Sequence, residues 1–289
     1  MGVVVNTNVQ SLIAQRNLNH ATTALNRATT SLSTGLKINR AADDAAGLFI
    51  ATGLESQLKG SQTCKTNIAL GINVLQIAEG DLTTIQDNVM RIKELATQAA
   101  NGVYSTAART AMADEAAARL AEIDRVAKAS EFNGMKLLDG TNTTLADGLR
   151  LQVGTGDDDE ANSITIENVF TNSTSGTSGI NLAADASAIA TAFATTSAAA
   201  AFIATCEASL NTISEKRSAI GVAQSRLEMT AEGLATTIEN VSAAKSTIMD
   251  TDIAQATADY TKAQILQQIS TSMLTQANQA PSIAMSLMQ

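Results

Sequence analysis

The chain has 289 residues, a formal charge of −9, 45% apolar residues and 2% aromatic residues, with no tryptophan. So low an aromatic content, with alanine supplying much of the apolar fraction, excludes one thick globular core and favours thin helical bundles with the outline of a rod. An acidic body whose basic excess is confined to Arg16, Arg27, Lys37 and Arg40 excludes a nucleic-acid surface, and no apolar stretch approaches the ~20 residues that cross a bilayer, so no membrane insertion is expected.

The predicted elements follow in chain order. A first helical stretch covers residues 8–33, with Leu18, Leu25 and Leu32 at heptad spacing and Ala14, Ala21 and Ala28 between them. Gly35 and the segment up to Asp44 interrupt it. A long helix then runs from Ala45 to Ala100 and stops at Asn101-Gly102, a C-terminal signal. Along it Ile68, Leu75, Leu82 and Val89 recur at intervals of seven, interleaved with Ala78, Ile85, Ile92 and Ala99. The next helix covers Thr106 to Ser130.

Asn133-Gly134 and Asp139-Gly140 mark turns, and alternation in Leu149–Val153 and Ile164–Val169 predicts a β-hairpin around Gly154–Glu160. Residues 171–200 are Ser, Thr, Gly and Ala with little to bury, and are expected to be exposed and variable in conformation. A second long helix begins near Ala198 and continues to Met249, carrying Ile213, Ile220, Leu227, Leu234, Val241 and Ile248 at unbroken intervals of seven. A last helix spans Ile253 to Gln279 and ends before Pro281, the sole proline.

A seven-residue repeat keeps one seam of a helix facing a partner, and at ~1.5 Å per residue the second stripe runs roughly 50 Å. Its partner is the stripe on the first long helix. The fold class expected is mainly α: a long antiparallel helical coiled-coil bundle built from N- and C-terminal halves, with a small β-hairpin region in the middle. The two ends are different. Leu12, Leu18, Leu25, Leu32, Ile265, Leu266, Ile269 and Leu274 are too few to offset the entropy of ordering both segments, and the 27 residues after Lys262 carry no charge. Such ends are expected to be disordered in an isolated monomer and to fold when neighbouring copies supply the missing surface, which makes self-assembly the function read from the residues.

Ordered blocks at both ends then resemble bacterial flagellin. Asn6-Thr7-Asn8, Gln15-Arg16-Asn17-Leu18, Leu32-Ser33-Thr34-Gly35-Leu36-Lys37-Ile38-Asn39 and Ala41-Ala42-Asp43-Asp44-Ala45-Ala46-Gly47-Leu48 match in the first part. Arg91-Ile92-Lys93-Glu94-Leu95-Ala96, Glu122-Ile123-Asp124-Arg125 and Phe132-Asn133-Gly134 follow, and Asp250-Thr251-Asp252, Gln264-Ile265-Leu266 and Gln276-Ala277-Asn278-Gln279 complete the pattern. Leu287-Met288-Gln289 departs from the family's usual closing leucine pair. The resemblance covers residues 3–140 and 205–288 and leaves no room for large outer domains, so the chain looks like a minimal flagellin.

The resemblance implies an organisation of 1–44 as N-terminal inner-tube helix and connecting segment, 45–140 as outer-tube helices, 141–200 as a short β-hairpin and variable exposed region, 201–250 as the returning outer-tube helix, and 251–289 as the C-terminal inner-tube helix. It also implies a homopolymeric filament that is extracellular, on the bacterial flagellum. Export would use the flagellar type III route without a cleaved signal peptide, in keeping with an N-terminus that lacks the basic and apolar regions of such a peptide. The implied partners are other copies, an export chaperone at the C-terminal tail, and the filament cap and hook–filament junction proteins. A host Toll-like receptor joins them by motif match, reading a patch of Arg91, Leu95 and Glu115 in which Arg91 and Leu95 stand one helical turn apart. The rival readings are a hook–filament junction protein and a secreted effector or adhesin that uses flagellin-like ends for export.

Catalysis has little to build on. His20 is the sole histidine, no HExxH zinc motif is present, and Asp157-Asp158-Asp159-Glu160 lacks the alternation of a calcium loop, reading instead as a solvated hairpin tip. Cys64 and Cys206 are too few for a disulfide scaffold or zinc site and read as two free thiols. No catalytic residue, cofactor or metal is expected. The Ser/Thr run from Thr171 to Thr196 offers acceptors for O-linked glycans or is a plain soluble linker.

Overall fold

The structure, a computed structural model, describes residues 7–140, 148–167, 169–170, 179–183 and 185–286, with the backbone alone for 159–160 and 280–286. The elements are α1 (Val9–Thr34), α2 (Ala45–Ala99), α3 (Thr106–Ala129), β1 (Glu131–Phe132), β2 (Met135–Lys136), β3 (Leu149–Gln152), α4 (Asp159–Asn162), β4 (Ser163–Ile166), α5 (Ala186–Phe193), α6 (Thr196–Met249) and α7 (Ile253–Ser286). They sort into two compact units, one of Met1–Leu58 with Glu239–Gln289 and one of Lys59–Ile238.

The second unit holds the main core. Ile68, Leu75, Leu82, Val89, Ile85 and Ile92 of α2 are buried with Ile213, Ile220 and Leu227 of α6 and with Leu120 and Ile123 of α3. Polar pairs flank this seam: Lys93 Nζ meets Glu207 Oε1 at 3.0 Å, Arg217 Nη1 donates to Gln86 Oε1 at 2.6 Å, and Gln224 Nε2 donates to Glu79 Oε2 at 3.3 Å. Partners on α6 rise in number as those on α2 fall, so the two helices run antiparallel. Leu234 is half-buried against the same core.

The hairpin forms where alternation predicts it, with Leu149 opposite Ile166 and Leu151 opposite Ile164 in antiparallel register. It lies against α2 at Gly71, where any Cβ would collide with the Leu151 side chain, and Asn67 Nδ2 donates to the Gln152 carbonyl at 3.3 Å. The hairpin's far end is exposed at Asp157 and Asp158.

Residues beyond the hairpin correct one expectation. Ile180, Leu182, Ile189, Phe193 and Ala199 are buried, so the described part of 171–200 is not an exposed linker. Asp185 begins α5 by accepting from the Ser187 and Ala188 amides, a cap that holds its carboxyl below the usual range, chiefly through the Ser187 hydroxyl. α5 then packs on α3, and the Phe193 ring meets Phe202 edge-on at 6.1 Å. Ala-rich composition hid this because four large side chains suffice to bury one two-turn helix. Residues 171–178 and 184, and with them most of the Ser/Thr run, lie outside the described residues.

The first unit is built around α1 and α7. Gly35 closes α1 at φ 70°, a left-handed position open to glycine at no cost. The Lys37 amide donates to the Met249 carbonyl at 2.6 Å and the Thr251 amide to the Gly35 carbonyl at 2.9 Å, so the two connectors form a single β-bridge. Beneath it Ile38, Ala51 and Met249 make a small core with Leu36, Leu48 and Ile248. Asp44 and Asp252 begin α2 and α7, accepting from the Gly47 amide at 2.9 Å and the Ala254 amide at 2.8 Å.

The last helix also departs from expectation: α7 does not end before Pro281 but continues to Ser286. A proline ordinarily stops a helix by removing one backbone donor. Here the carbonyl left without that donor finds another, from the residue that caps α1.

Candidate self-assembly surface

α1 and α7 pair along their length through small residues. Among the described side chains Ala14 and Ala21 of α1 and Ala256 and Ala263 of α7 are the buried positions, and alanine lets the two backbones approach closely. Polar clasps fix the antiparallel register: Ser11 Oγ donates to Asn278 Oδ1 at 2.7 Å, and Gln267 Nε2 to Thr22 Oγ1 at 3.3 Å. Sequence reasoning passed over these clasps. Asn8, which caps α1 by accepting from the Ser11 amide at 3.1 Å, is the residue here with a local signal, since asparagine is a favoured N-cap.

Because alanines hold the most buried positions, several of the large aliphatic side chains are left facing outward. Leu12 is 59% exposed, Ile265 51%, Leu266 45%, Ile269 52% and Met273 59%. Leu18, Leu25, Leu32 and Leu274 are half-buried. Ile13, Ala21, Leu266, Ile269 and Met273 line an apolar groove of about 780 Å³ on the pair. A helix pair with apolar side chains on its outward faces has more surface to bury than it can bury alone. His20 is exposed on α1.

The seam residues divide between the units. Ile68, Leu75, Leu82, Val89, Ile213, Ile220, Leu227 and Leu234 join the main core, while Ile248 joins the small core of the first unit. Val241 is half-buried and belongs to neither cluster. Lys245 Nζ reaches Glu55 Oε2 at 3.2 Å beside it.

Arg91 and Glu115 are brought together, with Arg91 Nε donating to Glu115 Oε1 at 3.0 Å and Nη1 to Glu94 Oε2 at 2.9 Å. These bonds, Glu94 first, raise the guanidinium's pKa further. Leu95 is different: at 2% exposure it is part of the core beneath, so it offers no surface of its own. Sequence spacing placed Arg91 and Leu95 on one face without showing that this face turns inward one turn later.

Three buried groups carry shifted pKa values. Burial pushes the Cys206 thiol up to about 12 and lowers Lys216 to about 8. Cys64 is buried and raised as well, and both cysteines are free. Among the described residues no three histidine, cysteine or acidic side chains gather as a metal site, and no helix is long and apolar enough to cross a membrane.

Comparison with known proteins bears on what this surface is for. The family profile for the bacterial flagellin N-terminal helical region matches residues 5–143, and that for the C-terminal helical region matches residues 203–288. Flagellin FlaB2 of Treponema pallidum (strain Nichols) is 34% identical over 293 aligned residues, covering 99% of this chain and 100% of the relative. The chain is a member of the bacterial flagellin family. This flagellin is likewise 34% identical to the flagellar filament 33 kDa core protein of Treponema phagedenis, over 99% of its own length and 100% of the relative's. Its fold is shared with a flagellar hook-associated protein from Vibrio parahaemolyticus, with a TM-score of 0.60, 16% identity, and coverage of 72% of this flagellin and 99% of that chain.

Proposed function

We propose that this flagellin is the structural subunit of a bacterial flagellar filament and polymerises with copies of itself through the α1/α7 pair. The observation that carries this reading is the outward placement of Leu12, Ile265, Leu266, Ile269 and Met273 on a pair whose most buried positions are alanines. Burying such side chains against neighbours is worth roughly 1.5–3 kcal/mol each, which offsets part of the entropy of ordering the ends. Filament core proteins among the full-length relatives support the same reading.

In this reading residues 1–44 and 251–289 form an inner tube, and residues 45–140 and 201–250 form an outer tube with the 141–200 segment on it. The filament is part of the flagellum outside the cell. The chain reaches it through the flagellar type III route, with a chaperone holding the C-terminal tail, and meets the cap and hook–filament junction proteins at its ends. The role is mechanical, with no catalysis. A host Toll-like receptor reads Arg91 and Glu115 on the soluble monomer, with Leu95 supporting them from below.

Deleting residues 263–289 is the direct experiment. Sedimentation of the purified protein at high concentration should show loss of polymer, while circular dichroism still shows the helices of the Lys59–Ile238 unit. Normal filaments from the truncated chain would contradict the proposal.

A further inference from the structure

Within an α-helix each carbonyl accepts from the amide four residues on. Ala277 lacks that donor, because the residue four positions later is Pro281 and proline has no N–H. The Asn8 side chain fills the gap: its Nδ2 donates to the Ala277 carbonyl at 2.7 Å, in a partly buried position. The same amide's Oδ1 accepts from the Ser11 amide at 3.1 Å and so caps α1. A side-chain amide donates and accepts at once, which a carboxylate cannot do. Close by, the Ser11 hydroxyl ties to Asn278.

We propose that Asn8 is a latch that replaces the backbone hydrogen bond Pro281 removes from α7, so that the first turn of α1 and the last turn of α7 become ordered together. Without Asn8, α7 would meet the usual consequence of an internal proline and unravel after Ala277. With it, the end of α7 is helical only when the start of α1 is in place. The proline thereby makes the order of one chain end conditional on the other. This deepens the assembly reading and rests on it, since the latch governs when the polymerising helix pair is complete.

The test is hydrogen exchange on the full chain, in its sedimented and its soluble fractions, for the wild type, N8D, P281A and the double variant. Aspartate caps a helix as well as asparagine but has no donor, so N8D is expected to speed exchange of the amides of residues 278–286 by about three- to tenfold and to leave those of Ser11 and Leu12 unchanged. In the P281A background Ala277 regains a backbone donor, and N8D is then expected to have at most a small effect. N8A should loosen both ends in the presence of Pro281 and only α1 in its absence. An equal effect of N8D in both backgrounds, or none in either, overturns the latch, as does a lack of protection at 278–286 in both fractions. Failure of the wild type to sediment overturns the filament reading instead, and the latch is then judged on the soluble fraction.

Discussion

Arg91 and Glu115 meet at 3.0 Å between α2 and α3, while Leu95, one helical turn from Arg91, is buried. This separates two roles that the sequence spacing had merged: the ion pair is accessible, and the leucine belongs to the core. Arg91→Ala and Glu115→Ala should each lower activation of a flagellin-sensing Toll-like receptor by soluble monomer while leaving the melting midpoint nearly unchanged, because exposed ion pairs add little to stability. Leu95→Ala should lower both. A reporter-cell assay beside a thermal melt separates the cases, and full activation by Arg91→Ala would exclude this face from recognition.

Ile269 is half-exposed and lines the apolar groove on the α1/α7 pair. Ile269→Asp places a charge where a neighbour's apolar side chain would sit, and should abolish sedimentable polymer without changing the melting of the Lys59–Ile238 unit. Polymer at the wild-type critical concentration would remove Ile269 from the assembly surface.

Ala263 is 3% exposed and sits where α7 meets α1. Ala263→Leu adds volume at a close helix contact, which typically costs 1–3 kcal/mol, or roughly one to two decades in an equilibrium constant. The critical concentration for polymerisation should rise accordingly in a sedimentation series. A bulkier residue tolerated without change would show that the helices do not meet there.

Phe193 is almost fully buried and edge-on to Phe202. Phe193→Ala should destabilise the second unit by about 3–5 kcal/mol in urea unfolding, the usual cost of emptying a large aromatic site. A loss under ~0.5 kcal/mol, the scale of exposed substitutions, would mean that α5 is not part of the core.

Lys216 titrates near 8 in the fold, against a reference of 10.5, because burial disfavours its charge. Below pH 8 the buried charge is a standing cost; as pH rises from 8 to 10.5 the folded chain sheds the proton before the unfolded chain does, and stability is gained. Wild type should therefore gain stability relative to Lys216→Met across that window, seen as a narrowing gap between their melting midpoints. A gap that stays constant with pH would mean that the lysine is solvated.

The long helices were legible because their information is repeated: Ile213, Ile220 and Leu227 each state the same phase, and the polar pairs from Glu79 to Glu207 only confirm it. The hairpin was legible from the alternation in Leu149–Val153 and Ile164–Val169. α5 was not, since Ile189 and Phe193 are isolated among alanine and threonine, and a helix of eight residues shows too few turns for a period to appear. The continuation of α7 through Pro281 was beyond local reasoning altogether. Its compensating donor, Asn8, lies 269 residues from Ala277. On the candidate surface, the residue types were visible, but which way they faced depended on alanines taking the inner positions.

The alanine contact between α1 and α7 has a corollary. A pair that keeps several bulky side chains outside its own interface leaves each free molecule open to incorrect as well as correct neighbours. The area that the pair cannot cover by itself is therefore a reason for free molecules to be kept dilute or shielded until a correct neighbour is at hand.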